Sequence, residues 1–204
     1  LHLQGETDSA KTLFAQAAIL EREIEPANQY LYSLRGTYYA DCLRRSGYAE
    51  EVRHITNNNL SICRRNGWHE DVSRCYRVLG DLDADAGFHD DARKHYDKAL
   101  KGAREIQVRD LLIEVLLARG CWYTRMRNTN DAAFHDLNEA YRYAMNGVYK
   151  RYEVNAHVGL AWAYLGKCDR AQARAEAENA KTMSTNMRYY WGQVDADEVL
   201  ATLS

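Results

Sequence analysis

The amino-acid sequence predicts an all-α fold, a right-handed superhelical α-solenoid of about ten helices in antiparallel pairs. Three observations carry this. The 204 residues contain one proline, Pro26, and twelve glycines, too little punctuation for the many turns of an all-β fold. The positions Ala10, Val52, Ala92, Ala133 and Ala173 recur at separations of 42, 40, 41 and 40 residues. The surroundings of these anchors recur with them: four residues on stand Phe14, Thr56, Tyr96, Leu137 and Ala177, and seven on stand Ala17, Asn59, Ala99, Ala140 and Ala180. Offsets of 0, 4 and 7 share one helical face.

Each repeat reads as two helices. Five residues before the anchors stand Gly5, Gly47, Gly87, Asn128 and Cys168. Glycine, and next asparagine, suits the left-handed conformation that closes a helix. Cys168 departs from that rule, with Gly166 as the expected substitute. Twelve residues before the anchors, the preceding helix carries Ala40, Gly80, Cys121 and Ala161, all small. One residue earlier stand Tyr39, Leu79, Gly120 and Leu160. Small residues let paired helices approach, and the larger neighbours fill the space between pairs.

In order, helices are expected over 6–23, 27–46, 48–65, 67–86, 88–105, 107–126, 130–145, 150–166, 170–184 and 188–203. The first, within 1–25, is an orphan second helix of a repeat. Helix pairs follow over 26–66, 67–106, 107–147 and 148–186. The segment 187–204, with Tyr189, Tyr190, Trp191 and Val199, is the terminal capping helix. A hairpin of this kind cannot bury its apolar face alone, so neighbours stack on it. No linker or low-complexity stretch divides the chain, and 1–204 is expected to be a single repeat domain. The first residue is Leu1, and with the orphan helix this leads to the expectation of a fragment of a longer chain.

Lys plus Arg number 27 and Asp plus Glu 29, a net charge of −2 and no footprint for nonspecific nucleic-acid binding. No apolar run reaches a membrane span, and the start LHLQGETD has no signal-peptide pattern. The cysteines are Cys42, Cys63, Cys75, Cys121 and Cys168, odd in number and widely spaced without a CxxC pair. They read as reduced thiols of a cytoplasmic protein.

The recurring offsets resemble the tetratricopeptide repeat. The segment Tyr76-Arg77-Val78-Leu79-Gly80, followed by Ala92, Tyr96 and Ala99, is the closest match. The repeat here is 40 to 42 residues against about 34 in the family. The family's eleventh-position aromatic is replaced by Leu43, Asp83 and Thr124, with Tyr164 in the last pair. The family's closing proline is missing. Segments 31–52 (LYSLRGTYYADCLRRSGYAEEV) and 116–144 (LLARGCWYTRMRNTNDAAFHDLNEAYRYA) look like the long-repeat C-terminal arrays of bacterial STAND-class signalling ATPases. That resemblance implies a sensor or scaffold arm and carries over no catalytic residue. No GxxxxGK[ST] phosphate loop occurs here.

In the family the first helix of each pair lines a concave groove. The resemblance places Tyr38, Asp41, Arg44 and Arg45 on that face, with Thr37 beside them. Arg74, Arg77, Asp81 and Asp85 follow, then Arg119, Trp122 and Arg125, and last Asn155, Val158 and Trp162. Arginine grips carboxylates in two places, and tryptophan offers flat area at low entropy cost, so both types carry interface energy. The plainer reading is a solvated face on which Asp41, Asp81 and Asp85 neutralise the arginines, Arg77 and Asp81 being an ordinary i, i+4 pair.

Other chemistry finds little footing. Cys63, His69 and Cys75 are too widely spaced for a zinc site, which wants tighter pairs. His89, Asp90 and Asp91 suit the start of a helix rather than a metal. No GxSxG or cysteine-nucleophile signature is present. The fifteen tyrosines read as filler between long helices, since base stacking would also need a basic groove. The expectation is therefore a noncatalytic module without metal or cofactor, binding a protein or peptide partner rather than nucleic acid or membrane. The remainder of a larger parent chain is a candidate partner. The alternative is a trigger-sensing arm of a regulatory ATPase.

Overall fold

The computed structural model describes residues 1–26, 30–126 and 129–204. Among them the regular structure is helical, a short 3-10 turn (His2–Gln4) followed by ten α-helices. These are α1 (Thr7–Ile24), α2 (Ser33–Arg45), α3 (Ala49–Arg65), α4 (His69–Asp85), α5 (His89–Ile106), α6 (Arg109–Thr124), α7 (Asn130–Gly147), α8 (Lys150–Gly166), α9 (Arg170–Met187) and α10 (Tyr190–Thr202). The all-α, helix-pair architecture expected from the repeat is present. Two compact units carry it, Leu1–Val108 and Arg109–Ser204.

Six of the junctions between consecutive helices are short turns of one form. Gly47, Gly67 and Gly87 have φ of 83°, 69° and 78°, and Val148, Cys168 and Arg188 have φ of 59°, 61° and 54°. Each is left-handed, and the next residue already caps the following helix. The N–H after each turn residue reaches back five positions, as in Trp68 to the Cys63 carbonyl (2.9 Å) and Tyr149 to the Ala144 carbonyl (2.9 Å). That is the Schellman closure, which satisfies carbonyls left over at the helix end. Gln107, with φ of 60°, continues the series. Left-handed residues thus stand at 47, 67, 87 and 107, and again at 148, 168 and 188. The period visible in the sequence divides into two nearly equal halves, each one helix and one turn. The expectation at Gly166 is corrected: Gly166 ends α8 and Cys168 itself takes the left-handed turn. Asn128 lies outside the described residues.

In the first unit α2 packs on α3, α3 on α4 and α4 on α5, and the alternate helices α2 and α4 also touch. Leu31, Leu43, Val52, Ile55, Val78, Leu79 and Leu82 form its apolar centre. The tyrosine ring of Tyr96 lies on Gly80, where a Cβ would come within 2.8 Å of it. In the second unit the same order runs from α6 to α10, and the alternate helices α6, α8 and α10 touch in sequence. Its centre is smaller in grain: Ala161, Ala173, Ala177, Ala180 and Ala196 are fully buried among Val154 and Val199. Added Cβ atoms at Gly120 and Gly159 would lie 2.8 and 2.5 Å from Leu137. Of these close approaches Gly80 is at the predicted offset, whereas Gly120 and Gly159 stand one and two residues before the corresponding Cys121 and Ala161.

Two boundaries shift. α9 runs three residues past the expected 184, to Met187. α2 starts at Ser33 where a helix is expected from 27; residues 30–32 are not helical, and 27–29 lie outside the described residues. Tyr32 is extended, with φ −128° and ψ 177°. The side chain of Asn59, 1% exposed, then clamps Ser33: its Oδ1 accepts from the Ser33 N–H (2.6 Å) and its Nδ2 donates to the Ser33 carbonyl (3.0 Å). Ser33 Oγ donates to Asp71 at 2.6 Å.

Candidate functional site

The first unit gathers five of the charged side chains expected on the groove face. Arg77 of α4 donates to both carboxylate oxygens of Asp41 on α2, at 2.6 and 2.8 Å. It also reaches Asp81 one turn further on, at 2.9 Å. Arg44 of α2 donates to Asp85 at 2.6 Å and stands 4.0 Å from Asp81. Tyr96 of α5 donates its hydroxyl to the other Asp81 oxygen at 2.8 Å. Two arginines and three aspartates thus alternate across α2 and α4, bound from behind by a buried phenol. Asp81 and Arg77 are buried, while Asp41 and Arg44 are half-buried.

The electrostatics follow from that alternation. Burial alone would raise the pKa of Asp41, but Arg77, then Arg44, outweigh it and hold the carboxyl below the usual carboxylate range. Burial would lower the pKa of Arg44, and Asp81, Asp85 and Asp41 together raise it instead. Burial and the adjacent Asp81 push the Tyr96 hydroxyl well up, so it remains a donor. The arrangement is chemically a plate of alternating charge, two cations among three anions. The ionic positions face one another, as the plainer reading of the sequence anticipated.

Beside this plate lies an exposed stripe on α2. Leu34 (37% exposed), Tyr38 (44%) and Arg45 follow one another at helical spacing, with Asp41 between them. The remaining expected groove residues of the first unit are turned inward. Arg74 is 2% exposed and reaches Glu70 at 2.6 Å. Thr37 is buried and donates to the Ser33 carbonyl.

In the second unit Arg119 of α6 grips Asp136 of α7 with two nitrogens, at 2.7 and 3.0 Å, and Asp136 is 1% exposed. The Arg119 guanidinium also lies over the Tyr123 ring. Trp122 is 2% exposed and Val158 is buried, so both belong to the packed interior rather than to an open surface. Trp162 is half-buried against the apolar centre, and Arg125 is exposed. Asn155 accepts from the Tyr189 hydroxyl at 3.1 Å.

Several structurally decisive polar residues were not singled out from the sequence. Asp83, 4% exposed, receives Arg53 of α3 at 2.8 Å and stands 2.7 Å from His95 of α5. The signal was present, since Asp83 replaces the aromatic of the tetratricopeptide pattern. Asn59 likewise replaces the alanine of the seventh offset. Glu153 and His157, both buried on α8, pair with Lys150 and Glu176. Tyr152 donates to Glu114, and burial followed by that carboxylate raises its pKa.

Cys63 and Cys75 are buried side by side, whereas His69 is exposed, so the three do not converge. Among the described residues, no group of three His, Cys, Asp or Glu side chains could hold a metal ion. Among them also, no helix is long and apolar enough to cross a membrane. No protein-family model matches the chain, and no curated protein matches it.

Proposed function

We propose that the chain is a noncatalytic interaction module built of long tetratricopeptide-like helix pairs, and that its first unit binds a protein or peptide segment along α2. The observation that supports this is the exposed Leu34, Tyr38 and Arg45 stripe, standing beside an ion-paired plate that holds α2 against α4. A tyrosine and an arginine on a rigid support are the residue types that concentrate binding energy, because little conformational freedom is lost on contact. The buried Arg77 serves this surface by holding α2 to α4 through Asp41.

The test is a capture experiment with the whole chain as bait, beside a Tyr38→Ala/Arg45→Glu double variant. Any captured protein is then titrated against both. The variant is expected to bind at least about tenfold more weakly, with unchanged helical circular dichroism and melting temperature. Equal affinity for the double variant overturns the α2 assignment.

Helix pairs of 40 to 42 residues favour a second reading, the sensing arm of a regulatory ATPase of the STAND class. In that reading the ligand of the same face is a trigger molecule, and a small metabolite rather than a protein would shift the melting temperature of the chain but not of the double variant.

A further inference from the structure

Three turns of the first unit place an aromatic ring directly after a left-handed glycine: Tyr48, Trp68 and Phe88. Two of these rings are covered from within the unit. Lys11 Nζ lies 5.0 Å from the centre of the Tyr48 ring and is held there by Asp8 at 2.8 Å. Tyr32 stacks on Trp68 with ring centres 5.9 Å apart. The third ring, Phe88, is 60% exposed.

The repeat explains the difference. Lys11 stands one residue past the anchor Ala10, and Tyr48 four residues before the next anchor, Val52. One repeat later the same two places hold Arg53 and Phe88. Arg53 is therefore the cation in position to cover Phe88, but its guanidinium is drawn 2.8 Å from the buried carboxylate of Asp83 instead. The second unit has a cation–ring contact in another register, Lys167 standing six residues before the anchor Ala173 where Tyr48 stands four before Val52. Phe134 stands one past the anchor Ala133, and Lys167 from the following turn lies 4.6 Å from its ring centre. Two joins between consecutive repeats thus carry a lysine on an aromatic face.

The Phe88 ring borders an open cleft of about 390 Å³, shared with Glu50, Arg53, Leu82, Asp83 and Asp91. Arg53 is neutralised by Asp83, and Asp91 is paired with Lys94 at 2.8 Å. Glu50 contributes a further carboxylate at the exposed rim. An aromatic face carries a negative quadrupole, and a carboxylate beside it strengthens the attraction for a cation.

We propose that this cleft binds a lysine or arginine side chain of a partner protein, its cationic head over the Phe88 ring and beside Glu50. The lining carboxylates outnumber the lining cation, and the fold's own closures at Tyr48 and Phe134 both use lysine. The cleft shares no residue with the α2 stripe, so this inference goes beyond that reading and stands independently of it.

The test is an NMR titration of the whole chain with N-acetyl-lysine methylamide and N-acetyl-arginine methylamide, against the uncharged norleucine counterpart. The two cationic probes are expected to shift amides in 49–53 and 86–91, and norleucine at the same concentration is not. Phe88→Leu is expected to weaken the lysine probe about fivefold. Glu50→Gln is expected to weaken it and to flatten its salt dependence. Circular dichroism and melting check that each variant folds. If Phe88→Leu does not fold, Glu50→Gln, at an exposed position, carries the test. The Tyr38→Ala/Arg45→Glu variant is expected to leave probe binding unchanged, which separates this inference from the α2 reading. Equal shifts from norleucine, unchanged lysine binding in both cleft variants, or no shift from either cation overturns it.

Discussion

The two units build similar helix pairs from different materials. The first turns on Gly47, Gly67 and Gly87, and the second on Val148, Cys168 and Arg188, yet all six residues are left-handed with the same Schellman closure. The first buries Arg74, Arg77, Asp81 and Asp83 on α4 alone, whereas α8 of the second buries mainly alanine, valine and leucine beside Glu153 and His157. The difference teaches that the turn conformation belongs to the stack. When two helices must reverse over a single residue, packing holds that residue left-handed whether or not its side chain favours the conformation. It also shows that polar pairing and close apolar contact are interchangeable means of fixing one helix on another.

They are not interchangeable when damaged. A buried carboxylate that loses its cation costs about 3–5 kcal/mol, because the remaining charge stays out of water. In the second unit Asp136 depends on the two-pronged grip of Arg119, with His135 next at 3.3 Å. In the first unit Asp81 keeps the Tyr96 hydroxyl and Arg44 when Arg77 is removed. Arg119→Ala is therefore expected to fall in that range and Arg77→Ala near or below its lower end. Hydrogen exchange read separately over α6–α7 and α2–α4 measures each unit on its own. A larger loss of protection for Arg77→Ala would show that the alternating plate gives no redundancy.

Residue types and spacing made the helices legible, because burial against a neighbouring pair imposes a period that alanine records. Ala92, Ala133 and Ala173 are each fully buried as the pattern requires. The break within each repeat was legible in the expected helices, but the left-handed turn that makes it was not. Gly67 lies between the recognised Gly47 and Gly87, but its counterparts Gln107, Val148 and Arg188 have no turn signature to read. The candidate face was legible only in part. The tetratricopeptide resemblance places Asp41, Arg44, Arg77, Asp81 and Asp85 on one face, and the five do meet, but it does not say whether a charge faces solvent or another helix. That depends on side chains contributed from elsewhere, such as Tyr96 on Asp81. Trp122 was misplaced for the same reason, since a large ring on one helix is exposed or buried according to what the next pair presents to it.

Asn59 sharpens the contrast between pattern and exception. Replacing it with alanine restores the recurring residue of the seventh offset, yet it removes both bonds to the Ser33 backbone. The Ser33 carbonyl keeps the Thr37 hydroxyl, so the half-buried Ser33 N–H is the group left without its partner. Such a group costs about 1–3 kcal/mol, and Asn59→Ala is expected to destabilise the first unit by about 1–2 kcal/mol. Urea unfolding followed by hydrogen exchange at α2 checks this. The mirror change, Ala140→Asn at a fully buried site of the second unit, is expected to be at least as costly, because it introduces an amide into an apolar contact. A neutral Asn59→Ala would mean that the Ser33–Asp71 bond and the packing of Leu31 suffice to hold the start of α2.

The smallest effects come from exchanging turn residues between units, and here the sign is the informative quantity. Val148 is 70% exposed, so its side chain contributes little burial, while its branched Cβ is strained at φ 59°. A left-handed non-glycine residue costs about 1–2 kcal/mol, and glycine returns about 0.5–1 kcal/mol of that through its freer unfolded chain. Val148→Gly is accordingly expected to stabilise the second unit by about 0.5–1 kcal/mol, a rise of a few degrees in melting temperature. Gly87→Val, at φ 78°, is expected to destabilise the first by a similar amount. Opposite signs would establish that both turns are held left-handed by the helices they join. If Val148→Gly instead lowers stability, the valine side chain supports the turn through contacts that outweigh its backbone strain, and the units differ in how their turns are held as well as in what composes them.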